Sequence, residues 1–355
     1  VVLKASERLA LGTCALGRAI DANGLPLDRG PHLSGRLVPV HPILPSPSER
    51  VAIETPLWTG VRVLDALLTI GRGARVGIFG APGAGKTTLI ESIAGNTWAD
   101  AAVVALVGER GREAQRWLAR RDPGTTIICA TSDRPAYERV RAAQVAVAQA
   151  TALRERGMHV LLVLDSLARF AAALRELGIA AGESAGRGGY PPSTFAQMAR
   201  LVEAAGAFES GSITVIASVI HDGDDRDPVS EAARSLLDGH IALSLRLAES
   251  GRFPAVNVLA SASRTMDSVV GEAHLRAAGA VRRALALLDR IEDARSLGIE
   301  PDGEAERSAV AAESRIESFL RQGRRACAHT ATLTSLLELE RVLNDASVLK
   351  SETSR

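Results

Sequence analysis

The chain has 355 residues, with 42 lysines and arginines against 41 aspartates and glutamates, for a net charge of +1. That balance excludes a chain built as an electrostatic trap for nucleic acid or acidic lipid, and the length allows two or three domains with a substantial core. Cys14, Cys129 and Cys327 are widely spaced and form no metal-like cluster, which fits a reducing cytosol; no apolar run approaches the roughly eighteen residues of a membrane span, and no signal peptide opens the chain.

In chain order, prolines come first. Pro39, Pro42, Pro45 and Pro47 hold a connector extended and block helix. From about residue 55 to residue 266, apolar strand-like runs alternate with helical segments, which predicts a mostly parallel sheet covered on both faces. One such run ends at Phe79 and is followed by Gly80-Ala81-Pro82-Gly83-Ala84-Gly85-Lys86-Thr87, after which Thr88-Leu89-Ile90 opens a helical pattern. This is a phosphate-binding P-loop in the strand, turn and helix setting it requires. Glycines let the backbone N–H groups converge on a phosphate, and the helix presents its positive end to the same anion. Lys86 then reaches the β- and γ-phosphates of a nucleotide, Thr87 holds Mg²⁺, and Thr88 falls in the same helix start.

The run Val103-Val104-Ala105-Leu106-Val107 ends in Gly108-Glu109-Arg110-Gly111-Arg112-Glu113. Ligands in open α/β sheets bind outside the carboxyl ends of the strands, so Glu109 is placed to polarise the water that attacks a γ-phosphate. A solvated helix start, with Glu109 and Glu113 favoured by the macrodipole, reads the same way, and spacing alone leaves the two open. Val160-Leu161-Leu162-Val163-Leu164-Asp165 is an unbroken apolar run stopped by one acid, as a strand buried on both faces reads. Asp165 could simply cap the helix from Leu167. With a P-loop upstream, the reading taken is a carboxylate for the metal, acting through a water.

Ile213 to Ile220 reads as a further strand, followed by the acids Asp224, Asp225 and Asp227, a solvated turn with no catalytic role assigned. From Asp267 onward strands stop. Leu275, Val281, Leu285, Leu288 and Ile291, then Ile316, Phe319 and Leu320, then Leu336, Leu337 and Leu339, recur at near-helical spacing, and Ser351 to Arg355 reads as a frayed end. The expected division is 1–54 as a domain junction and Pro-rich linker, 55–266 as the nucleotide-binding α/β domain, and 267–355 as a helical domain.

Several segments in fixed order resemble the ATPases of type III protein secretion, a family related to the flagellar export ATPase and to the catalytic subunits of rotary ATP synthases. They are GERGRE at 108–113, LLVLDSLARF at 161–170, GYPPSTFAQMARLVEAAG at 189–206, GDDRDPVSEAARSLLDGHIALS at 223–244 and FPAVNVLASASR at 253–264. Within the family, Ala81-Pro82-Gly83 and Ala130-Thr131-Ser132-Asp133-Arg134-Pro135-Ala136 look more like the injectisome branch. The resemblance implies a RecA-like α/β core and a C-terminal helical domain. Relatives begin with a β-barrel, of which Gly12 to Asp28 resembles the exit, and an opening Val1 in place of Met suggests a trimmed chain.

The resemblance also implies roles. Glu109 becomes the catalytic carboxylate, Arg264 an arginine finger acting on the neighbouring subunit's nucleotide, and Phe253 the aromatic that packs on adenine, where relatives often carry tyrosine. Without the resemblance, a surface charge at Arg264 and a core Phe253 would be the plainer readings. The loop Gly182 to Gly188 lacks two prolines common in relatives, and Arg187 receives no role. The implied protein is a homohexameric, Mg²⁺-dependent, ATP-hydrolysing motor, peripheral at the cytoplasmic membrane, with stator, central-stalk and chaperone-bound export partners. Without the barrel it could be a monomer.

A ring-shaped RNA translocase shares the core chemistry, but aromatics make up 3% of the chain and no aromatic-interleaved basic platform is present. A non-catalytic, purely structural nucleotide-binding subunit would lack the Glu that stands at Glu109.

Overall fold

The computed structural model describes residues 6–41, 44–120, 122–220, 227–299 and 303–348. Pro42, Asp224, Asp225 and the segment from Ser351 to Arg355 lie outside the described residues. The described chain divides into two compact units. The first draws on Val1–Glu54, Gly71–Pro82 and Trp98–His240, the second on Thr55–Ile70, Gly83–Thr97 and Ile241–Arg355. Among the described residues no helix is long and apolar enough to cross a membrane.

In the first unit, strands run in the order Arg75–Gly80, Ser212–Ile220, His159–Asp165, Ala101–Val107, Thr125–Ala130, Ala19–Asp21. Each neighbouring pair is parallel. The short strand Gly206–Ala207 runs antiparallel against Ser212–Ile220, and Arg8–Ala10 pairs antiparallel with Leu37–Pro39 apart from this sheet. Ala101–Val107 and His159–Asp165 are buried along their whole length, the reason both read as continuous apolar runs. Each fully buried side chain there, such as Val103, Val104, Leu161 or Val163, contributes about 1.5–3 kcal/mol. The Ala-rich helix Ala136–Arg154 packs on these strands together with helix Leu167–Ala180.

Register decides where the chemistry collects. Ile220 lies opposite Gly80, Leu106 opposite Asp165, and Ala130 opposite Val107. The carboxyl ends of adjacent strands therefore share one rim, and the loop that follows each strand opens there.

Helix Ala136–Arg154 also holds the start of the chain through two buried polar residues. Gln149 accepts from the Gly12 N–H at 2.6 Å and donates to the Gly12 carbonyl at 2.9 Å and to Thr126 Oγ1 at 3.1 Å. Arg141 Nε donates to the Ala22 carbonyl at 2.8 Å, and its Nη2 to the Ser6 carbonyl. Strand Ala19–Asp21 can thereby pair with Thr125–Ala130.

The second unit contains helix Lys86–Asn96, which continues from the Gly-rich loop, strand Val256–Ser263, and the helices Met266–Val269, Glu272–Ser296, Glu304–Leu320 and His329–Val348. The last three pack on one another. Helical spacing foretold them, but the buried face of Glu272–Ser296 is small-residued: His274, Ala277, Ala278, Ala280, Val281, Ala284 and Ile291. Alanines allow close approach of helix backbones, and Leu275, Leu285 and Leu288 are only half-buried. The architecture is α/β, a mostly parallel sheet followed by helices.

Candidate active site

Gly80, Ala81 and Pro82 close the strand Arg75–Gly80 in the first unit. On the same rim, Gly108 and Glu109 follow Ala101–Val107. Gly108 has φ +68°, and a Cβ there would come within 3.3 Å of the Arg169 side chain, so glycine is required on both counts. Gly108 N–H donates to the Ala130 carbonyl at 2.7 Å and Ser132 N–H to the Glu109 carbonyl at 3.0 Å, which fixes the turn.

Glu109 is 5% exposed and its side chain forms an ion pair with Arg169. Burial pushes its pKa up to about 7, helped by a hydrogen bond shared with Glu113 and by the charge of Asp165, while Arg169 pulls the other way. Glu113, on helix Gly111–Ala119, is held below the usual carboxylate range by that same shared bond. The buried member of the pair keeps the proton longer.

Asp165 is 6% exposed and accepts a 2.5 Å hydrogen bond from Ser218 Oγ, on the adjacent strand. The cap reading of this acid belongs to its neighbour: the Ser166 hydroxyl accepts from Arg169 N–H at 3.2 Å and starts helix Leu167–Ala180. The first turn of that helix aims Arg169 back at Glu109. Sequence reasoning passed over Arg169 and Ser218. Asp165 ends a strand and Arg169 lies in the first turn of the next helix, so their four-residue spacing is not a helical signal; Ser218, a lone hydroxyl inside Ser212–Ile220, offered a weak one.

Asp227, placed in a solvated turn by its sequence, caps helix Pro228–Leu236, accepting from Val229 N–H and Ser230 N–H. Arg187 pairs with Glu231 at 2.6 Å, both partners exposed.

The other site residues belong to the second unit. Gly83 and Gly85 have φ +90° and +91°, the left-handed region that lets the loop turn its N–H groups inward. Gly85 is the N-cap of helix Lys86–Asn96, so Lys86, Thr87 and Thr88 form its first turn, and Ala84 is buried beneath. Phe253 is half-buried and its carbonyl accepts from Gln322 N–H at 2.8 Å. Arg264 follows strand Val256–Ser263 and is exposed.

A Gly-rich loop between a parallel strand and a helix, with a buried carboxylate of raised pKa on the same rim as the strand, defines a P-loop nucleotide hydrolase. The family model of the ATP synthase alpha/beta family, nucleotide-binding domain, matches residues 60–263. The type 3 secretion system ATPase of Xanthomonas euvesicatoria is 45% identical over 293 residues, covering 79% of this chain and 65% of that protein. The flagellum-specific ATP synthase of Bacillus subtilis is 42% identical over 334 residues, covering 90% of this chain and 75% of that one. Among solved structures, the assembled ATPase EscN of the enteropathogenic E. coli type III secretion system is similar with TM-score 0.90 and 38% identity, over 95% of this chain and 84% of that one. EscN in complex with its central stalk EscO matches with TM-score 0.88 and 38% identity, over 94% of this chain and 84% of that one. The chain belongs to the ATP synthase alpha/beta family and, within it, to the ATPases of type III secretion. It is a nucleotide-binding, ATP-hydrolysing enzyme of that family.

Proposed function

We propose that the chain is the motor subunit of a type III secretion apparatus, hydrolysing Mg²⁺-ATP at sites shared between subunits of a ring. The observation that carries the hydrolysis centre is the cluster of Glu109, Arg169 and Asp165 on the rim of the first unit's sheet. Lys86 and the backbone N–H groups of the loop from Gly80 to Thr88, all but Pro82 carrying one, bind the phosphates, and Glu109 orients and polarises the attacking water. The water oxygen bonds to the γ-phosphorus as the bond to the β,γ-bridging oxygen breaks, leaving ADP and phosphate.

The donor set fits Mg²⁺, a hard cation that takes oxygen ligands and keeps several waters. The Thr87 hydroxyl would hold it directly and the Asp165 carboxylate, kept in place by Ser218, through a water. The ion supplies charge neutralisation across the β- and γ-phosphates. Phe253 packs on adenine; it keeps the stacking face of a tyrosine and lacks only the hydroxyl.

Arg264 is exposed, as a finger serving the neighbouring subunit's nucleotide must be. Leu297 and Ile299, 78% and 58% exposed after helix Glu272–Ser296, offer an apolar tip for a central stalk, the kind of partner EscN is solved with. Stator binding, docking of chaperone-bound export substrates and peripheral attachment at the cytoplasmic membrane complete the proposal and rest on family likeness. The flagellar relative keeps flagellar export as the second reading.

Mixed rings test the shared site. Arg264→Ala alone should lower turnover by about a thousandfold with nucleotide binding nearly intact, and Lys86→Ala should abolish binding and turnover. Mixed, they create some interfaces where an intact P-loop faces an intact Arg264, so partial activity returns. A mixture as inactive as either parent, although native mass spectrometry shows mixed rings, refutes the trans-acting finger.

A further inference from the structure

In the second unit, the segment after helix Glu304–Leu320 makes one side chain a junction. Gln322 Oε1 accepts from Arg62 N–H at 2.7 Å, and Nε2 donates to the carbonyls of Gly60 at 2.7 Å and Arg325 at 2.8 Å. The main-chain N–H of the same residue donates to the Phe253 carbonyl at 2.8 Å. An amide side chain with both ends engaged has one orientation, and so does the peptide attached to it.

The turn on which Gln322 leans is itself rigid. Gly60 has φ +71°, and a Cβ there would lie 2.9 Å from Ala326 Cβ and 3.0 Å from Asn96 Cβ, so the backbone is wedged against the end of helix Lys86–Asn96. Asp65 accepts from Thr59 N–H at 2.8 Å, Thr59 Oγ1 at 2.7 Å and Gly60 N–H at 2.9 Å. Arg62 closes the other side: its guanidinium lies 5.6 Å from the centre of the Phe319 ring and donates to the Phe319 carbonyl at 3.2 Å.

We infer that Gln322 is a positioning residue for the purine base. Its amide, locked on Gly60 and Arg62, holds the main chain so that the N–H of residue 322 fixes the Phe253 carbonyl, and this sets the plane on which the base stacks. Gln322 does not touch the nucleotide. It makes base affinity depend on the seating of the C-terminal helices, because residues 321–328 join Glu304–Leu320 to His329–Val348. The inference rests on the reading of Phe253 as the stacking residue.

Affinities for ATP and for tripolyphosphate, which has the phosphates and no base, separate a positioning role from a structural one. In the full chain, Phe253→Ala and Gln322→Ala should each weaken ATP binding by about tenfold, the scale of one lost aromatic stack. Tripolyphosphate binding should change by less than about twofold. Phe253→Ala/Gln322→Ala should bind ATP no more weakly than Phe253→Ala alone. Gln322→Glu, which keeps the acceptor toward Arg62 and loses the donor toward Gly60, should show the same selective loss in part, and decides the matter if Gln322→Ala does not fold. If Phe253→Ala shows the selective loss while the folded Gln322 variants leave the ratio of the two affinities at the parent value, or weaken both ligands equally, Gln322 is only a structural tie. If Phe253→Ala leaves that ratio unchanged, the stacking reading itself falls, and the positioning role with it.

Discussion

Glu109 is a carboxylate placed where a carboxylate is costly. Its pKa of about 7 sets two pH dependences with opposite uses. The proposed role of polarising water needs the ionised form, so kcat/KM of the parent should rise with pH through about 7. Arg169 holds that value down, so Arg169→Gln should move the acid limb to higher pH, a shift visible in a pH–rate profile whatever its effect on the maximum. For stability the sign reverses. A carboxyl whose folded pKa lies above its unfolded value near 4.5 stabilises fully below the unfolded pKa, and the contribution is lost as pH rises through about 7. Between pH 5 and pH 8 the nucleotide-free parent should therefore lose about 1–2 kcal/mol relative to Glu109→Gln, after allowance for solvent screening. Parallel pH dependences in denaturant titrations of the two proteins would contradict this. At this scale the sequence showed Glu109 and Asp165, because each ends an apolar run. It hid Arg169 and Ser218, because their roles arise from which strand and helix turn lie alongside, and parallel neighbours are distant in the chain.

The elements were legible where one physical pattern governed them. Ala101–Val107 and His159–Asp165 are buried throughout and read as unbroken apolar runs; the left-handed glycines of the loop read as a P-loop. The C-terminal helices showed their period, though not that the buried face of Glu272–Ser296 is built largely of alanine. Strand Ala19–Asp21 was illegible. Three residues carry no period, and its place depends on Gln149, buried at 0% exposure and bonded to both polar groups of Gly12. Gln149→Ala leaves the Gly12 N–H without its partner and the Gly12 carbonyl with the Ala15 N–H alone, and should cost about 2–4 kcal/mol. Hydrogen exchange should quicken first at Gly12 and in the strand Ala19–Asp21. Unchanged protection there, with stability within about 0.5 kcal/mol of the parent, would mean that the strand is held by other contacts.

At the scale of the whole molecule, the chain is an ATP-hydrolysing enzyme of the secretion family, and in the proposed mechanism Glu109 acts on water and not on nucleotide binding. The most direct measurement is to load Glu109→Gln with Mg²⁺-ATP, separate the protein from free nucleotide and identify what stays bound. Glutamine keeps the shape and the hydrogen-bonding reach but loses the charge that polarises water. The expected result is intact ATP retained at parent-like affinity, with hydrolysis reduced by about a hundredfold or more, on the order of a lost general base. Bound ADP formed at the parent rate, or weakened ATP binding with kcat preserved, would contradict it.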